Sequence, residues 1–322
     1  PHTPRGVECL VDDIMEFDEE ATPGLTEASL CVLHDYVHYR MDTVDNDLEW
    51  EDAHATVEEA LDEVGSPLNP LADIIEAADR IDPEERRAAF AATRVVAMVP
   101  RLLEWIGRGR ATSPSGGVRR VDIAEAAAML GVNAVGVNKR PPHQPDDVSL
   151  PGLDTALPTS STVYAMSMQD VPLLASWWDA LRAVGVIENT STRVRPGPAA
   201  LNWSAASLPP AEVAEMIIGF FVAGVLTHDL RHWGFYEDRV VALALARLVE
   251  VAAGLDAPDL GNQPIDQMLG SRVLRKLRHL EQAGLLEQVG DDQFTIPLPL
   301  RGAIARGLIV TAGMLEDELD IE

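Results

Sequence analysis

The chain has 322 residues, 47% of them hydrophobic and 5% aromatic, with a formal net charge of −27 and two cysteines. That apolar content excludes a disordered chain. Cys9 and Cys31 stand in no CxxC pattern, which excludes a paired-cysteine zinc site and a disulfide framework. No signal-peptide pattern is read at the start, and the longest apolar run, Met216 to Leu226, is short for a bilayer span, so a cytoplasmic location is expected.

The charge is unevenly placed. Residues 1–80 carry 22 acidic and 3 basic side chains, and the remainder carries 30 and 22. The simplest expectation for the acidic region is a solvated surface. A polyanion also repels nucleic acid at long range, covers a basic surface of its own chain, or binds a basic partner.

In chain order, the first predicted helix is 25–42, with Thr26 as N-cap and Leu30, Leu33, Val37 and Met41 as its apolar stripe. An acidic break is expected from Asn46 to Asp52, then a helix from Thr56 to Val64 stopped by Gly65-Ser-Pro67. Pro70 to Ala78 reads as a short helix. Asp82 and Pro83 open the next in the favoured way, and it is expected to run to about Gly107 with a kink at Pro100.

A turn-rich basic connection, Arg108 to Gly117, leads to a predicted strand over Val118–Val121 and a short helix from Asp122 to Leu130. Residues 131–169 are rich in Pro, Ser and Asp and read as a long loop or insertion. Asp170 caps a predicted helix from Val171 to Val184, and Val186–Asn189 is expected to pair with Thr192–Arg195. After a connector, Pro209-Pro210 opens a strongly apolar helix to about Asp229, followed by an amphipathic one from Tyr236 to Gly254.

The stretch 262–307 reads as a short helix over Pro264–Leu269, a break at Gly270, and a helix from Ser271 to Ala283 ended by Gly284. A hairpin of Leu285–Gln288 with Gln293–Ile296 follows, turning at Gly290–Asp292. Leu181–Glu188 matches Leu280–Glu287 in character, and a proline ends the second strand of each copy, which suggests tandem modules. Met314 to Glu322 is expected to be a frayed acidic tail.

This order resembles the winged helix-turn-helix superfamily over 262–307. The motifs Leu102–Arg110, Ser115–Asp122 and Asp170–Leu174 resemble a group of uncharacterised, largely actinobacterial proteins over 95–205. The expected fold is therefore mainly α, with two winged-helix-like modules bearing small β-hairpins and an acidic helical N-terminal region. Expected domains are an acidic helical region (1–84), a first module with an insertion at 131–169 (85–205), a helical pair with the second module (206–310), and the tail (311–322).

Three constellations carry candidate chemistry. On the helix after Gly270, Val273, Leu274, Leu277 and Leu280 face inward, while Arg272, Arg275, Lys276, Arg278 and His279 share another face suited to phosphates. His34/His38 and His228/His232 are two histidine pairs in an H-D-x-x-H pattern, and i,i+4 histidines on a helix point the same way and can share zinc. A structural role is the expectation for both pairs, with no metal. Trp177 and Trp178 are expected in the core, with one as an alternative exposed anchor.

No phosphate loop, GxGxxG or GxSxG motif is present. The expected function is a non-catalytic winged-helix binder with no cofactor, a transcription regulator that binds double-stranded DNA through the basic face. The alternative is a protein–protein scaffold, and a metal-dependent hydrolase built on the histidine pairs comes third. No membrane partner is expected, and homo-oligomer formation stays open.

Overall fold

A computed structural model describes residues 3–15, 25–43, 47–64, 69–139, 162–203, 208–232, 237–254, 264–290 and 292–319. The Gly65–Pro67 stop, most of the insertion, Asp291 of the second turn and the last three residues of the tail lie outside these. The described chain is mostly helical and divides into two compact units, Pro1–Ala72 and Asp73–Glu322.

The first unit holds α1 (Pro4–Met15), α2 (Leu25–Thr43) and α3 (Asp47–Val64). Each presents an apolar stripe at helical spacing. Val7, Val11 and Ile14 meet Leu30, Leu33 and Val37, and both meet Trp50, Ala53, Val57 and Ala60 in one core. The expected acidic break at 46–52 is a correction: α3 already begins at Asp47. Asp and Glu are stable in a first helical turn, and buried Trp50 anchors that turn to the core. Tyr36 meets Trp50 edge-on at 6.3 Å, and the Arg40 guanidinium lies 4.9 Å from the same ring, which locks α2 against α3.

The boundary between the units in the sequence falls within α4 (Asn69–Asp79). The second unit continues with α5 (Pro83–Ala92), α6 (Arg94–Ala97) and α7 (Val99–Ile106). Asp82 caps α5 through the amides of Glu84 and Glu85, as expected. The single kinked helix to Gly107 becomes three pieces, because the chain turns extended at Thr93 and Pro100 sits in the first turn of α7. The strand expected at 118–121 is also corrected. It is β1 (Arg110–Ala111), while Arg120–Asp122 is a turn of 3-10 helix leading into α8 (Ile123–Met129). The insertion is not wholly irregular, since β2 (Ala134–Gly136) and β3 (Val163–Ala165) pair in parallel.

Next come α9 (Pro172–Ala183), β4 (Ile187–Asn189) and β5 (Arg193–Pro196). β5 lies between β1 and β4, antiparallel to both. Trp177 and Trp178 are both fully buried, donating to the carbonyls of Val95 and Gly116 at 2.7 and 3.2 Å. Neither is an exposed anchor. α9 is buried on nearly all sides, against α10 (Ala211–Thr227).

α10 also packs on the last helix, α13 (Arg301–Leu319). They approach so closely that a Cβ on Gly307 would stand 2.7 Å from the Gly219 carbonyl oxygen. Ala211–Leu230 and Leu298–Leu315 each have the length and hydropathy of a bilayer span, beyond what the run 216–226 alone suggests. α13 carries the helix through Leu319, so most of the expected frayed tail is helical.

α11 (Glu237–Ala253) and α12 (Pro264–Gln282) complete the unit with the hairpin β6 (Glu287–Gln288) and β7 (Phe294–Thr295). Both expected hairpins are present, and Gly185 and Gly284 take the left-handed φ values of 75° and 80° that end the helices before them. The break at Gly270 is not. α12 runs straight through it, because Gly270 is buried and Leu269, Val273, Leu277 and Leu280 form one continuous buried stripe.

Candidate metal centre

The apolar stripes of α2 and α3 set what lies beside them. With Leu30, Leu33 and Val37 turned inward, His34 and His38 fall together at the edge of the α2–α3 contact. On α3, Ala53 and Val57 turn inward, and His54 emerges at the same edge. The three imidazoles converge. Ring centroids are 4.6 Å apart for His34–His38, 4.8 Å for His34–His54 and 4.5 Å for His38–His54. One ligand nitrogen from each lies within 4.8 Å of the others, and the Nε2 atoms of His38 and His54 are 3.0 Å apart.

Two ligands on one zinc-class ion at tetrahedral angles, each about 2.0–2.1 Å from it, stand roughly 3.3 Å apart. The observed spacings bracket that value, so small ring rotations suffice to seat an ion. His54 is further oriented from behind. Its Nδ1 lies 3.4 Å from Glu58 Oε2, one turn along α3, which leaves Nε2 facing the other rings. A carboxylate on the far nitrogen of a ligating imidazole fixes its tautomer and raises its basicity. Imidazole sets of this kind suit zinc, copper, nickel and iron rather than magnesium or calcium. The unit around them carries 19 acidic and 2 basic side chains over residues 1–72, a field that draws cations in.

The sequence reading found His34 and His38 but not His54, whose nearness depends on how α2 crosses α3. The other proposed pair belongs to the second unit. His228 faces the Gln169 carbonyl at 2.9 Å, and the side chain of His232 lies outside the described residues.

The basic face of α12 is taken up mostly within the protein. Arg272 pairs with the buried Glu237 of α11, and Lys276, only 3% exposed, reaches Asp229 at 3.0 Å. Arg278 pairs with Asp292 of the hairpin at 3.3 Å. Desolvation, more than any neighbouring charge, pushes His279 down to about 4, so it is neutral at pH 7. Desolvation is the largest influence on Asp229 and works to raise it, but the charge and hydrogen bond of Lys276 together with His228 and His279 hold the carboxyl below its ordinary value. Glu237 is raised by desolvation against the opposing pull of Arg272, and its Oε2 is buried without a hydrogen bond. Arg275 alone of the five is exposed. One exposed basic face is therefore a correction, and its physical reason is the acid on α11 and in the 3-10 turn His228–His232 that follows α10. Arg110 of the basic connection is likewise engaged, by Asp122 at 2.8 Å and over the Trp105 ring at 3.7 Å.

Comparison with protein-family models, curated proteins and solved structures returns no match.

Proposed function

We propose that the N-terminal unit is a transition-metal-binding helical module in which His34, His38 and His54 hold one ion. The observation that carries this is the convergence of three imidazole nitrogens within 4.8 Å from two helices. This replaces the expectation that the histidines of α2 serve only packing. The test is metal analysis of the full chain after zinc loading and desalting. One zinc per chain is expected, and none in His38→Gln or His54→Gln at unchanged helicity by circular dichroism. Zinc retained by both variants would overturn the assignment.

For the second unit, a non-catalytic interaction role fits best, with a protein partner ahead of duplex DNA. The β1-β5-β4 order, with β1 preceding α8, supports the winged-helix reading of 85–205. The helix that would enter a groove there, α9, is enclosed in the protein, which favours a non-nucleic-acid use. Over 262–307 the uninterrupted α12 and the internally paired Arg272 and Lys276 weaken the regulator reading. Binding to a labelled duplex over a salt series tests this: no saturable binding at low salt is expected, and tight, steeply salt-dependent binding lost in Arg275→Glu would restore the regulator.

A further inference from the structure

A cavity of about 400 Å³ opens in the second unit between residues 113–120, residues 166–169 and the last turns of α9, and every residue lining it is described. Small-molecule sites span roughly 300–1,000 Å³. The inner wall is apolar because the chain has no side chain where Met168 lies: a Cβ on Gly117 would stand 2.9 Å from Met168 Cε. The Val118 amide donates to Met168 Sδ at 3.4 Å, and buried Trp178 completes that wall. The outer side is polar. Ser113 Oγ accepts from the Gly117 amide at 3.1 Å and lies 3.0 Å from Ser115 Oγ, and exposed Ser167, Arg120 and Arg182 line the rest.

The two guanidiniums differ. Arg182 has its acid one turn away on α9, Asp179 at 3.5 Å. Arg120 is held by neutral acceptors: its Nε donates to the Met166 carbonyl at 2.9 Å and its Nη1 to the Asn138 side-chain oxygen. The end of β2 is pressed against the same residue, since a Cβ on Gly136 would overlap the Arg120 carbonyl oxygen. Nearby acids are engaged elsewhere. Asp122 takes Arg110 and Arg119 at 2.8 and 2.9 Å, and Asp170 accepts the amides of Met166 and Ser167, both at 2.8 Å. Among the described residues, Arg120 thus has acceptors but no acid. The cavity presents one uncompensated positive charge, in a unit that carries 33 acidic and 23 basic side chains over residues 73–322. A guanidinium already fixed in place loses little freedom on binding, and its planar fork matches a carboxylate.

We propose that this cavity binds a small organic monocarboxylate with a flat apolar body, its carboxylate on Arg120 and the serine hydroxyls and its body against Met168 and Trp178. Thioether sulfur favours aromatic contact, which selects the flat body. Charge selects the head group. A phosphate monoester brings about two negative charges at pH 8, and the second would face Asp179 with no unpaired cation left for it. A neutral molecule of the same shape forgoes the charge-assisted bonds to Arg120. The site uses none of the metal-centre residues and gives the second unit a ligand of its own.

The experiment is equilibrium dialysis of the full chain at pH 8 against 1-naphthoate, 1-naphthamide and 1-naphthyl phosphate, each followed by its own fluorescence. Saturable binding of 1-naphthoate at one site per chain is expected, with the amide and the phosphate each roughly tenfold weaker or more. Arg120→Gln should weaken 1-naphthoate by a similar factor at unchanged helicity and leave 1-naphthamide where it was. Asp179→Asn, at a half-exposed position that folding tolerates, frees Arg182 and should shift the preference toward the phosphate. Binding of 1-naphthoate that does not saturate, or that the amide equals, would overturn the proposal. So would 1-naphthoate affinity unchanged in Arg120→Gln, or a carboxylate-to-phosphate preference unchanged in Asp179→Asn.

Discussion

Two clusters of titratable side chains can be compared, the histidines of α2 and α3 and the charged group of α11, α12 and the 3-10 turn after α10. The second is complete within the chain. Lys276 meets Asp229, Arg272 meets Glu237, and His279 is held neutral between them. Opposite charges have found each other, and the result is a polar joint between helices. The first gathers three donors of one kind, backed by a carboxylate on the outer nitrogen of His54. A cation is what we propose these donors hold. Charge density alone does not mark a site; the difference lies in whether the groups brought together are opposite charges or donors of one kind.

The largest effect that would break this contrast is expected at Arg272. Arg272→Ala leaves the nearly buried Glu237 carboxylate without its partner, and loss of about 3 kcal/mol is expected by denaturant unfolding. Glu237 is already raised above its ordinary range, so its protonation favours the folded state. The cost of Arg272→Ala should therefore shrink as pH falls, and Glu237→Gln in the same chain should recover part of it. A cost that is independent of pH would place the joint's stability elsewhere.

Next in size is Glu58→Gln. If Glu58 orients His54 for a metal, the substitution should weaken metal affinity by roughly tenfold to a hundredfold while changing the stability of the metal-free chain little. Equal loss in both would reduce Glu58 to an ordinary surface pair.

A smaller effect concerns pH and His279. Its folded pKa of about 4 lies below the ordinary histidine value near 6.5, so the unfolded chain takes up the proton first. The stability that neutral burial of His279 contributes is complete above pH 6.5 and is lost as pH falls toward 4. In His279→Gln this part of the pH dependence should flatten. An unchanged slope between those limits would show that the ring is solvated.

The smallest effect is expected at Arg275, exposed on α12. Arg275→Glu should change stability by no more than about 0.5 kcal/mol.

Much of the fold is legible in the sequence because it is local. The N-cap at Asp82, the glycine-ended helices before both hairpins, and the apolar stripe of α2 each follow from a few neighbouring residues. What misled was context. Gly270 carries a helix-breaking cost of about 1 kcal/mol, yet burial of the residues on either side of it outweighs that. The spacing of Arg272, Lys276 and His279 places them on one face of α12, but no local pattern tells that Glu237 and Asp229 approach that face. For the candidate centre, the i,i+4 spacing of His34 and His38 was visible, and the third histidine was hidden by an expected break through 46–52. With α3 beginning at Asp47 and anchored at Trp50, His54 comes within reach of the other two. α1, although not anticipated, had its signal in Val7, Val11 and Ile14.

The most direct measurement of the central claim is X-ray absorption at the zinc edge of the fully loaded chain, beside His54→Gln. The account predicts only nitrogen and oxygen neighbours at about 2.0–2.1 Å, with outer-shell scattering of three imidazoles that falls in the variant. A sulfur shell, or an imidazole signature that the His54→Gln substitution leaves unchanged, would contradict it.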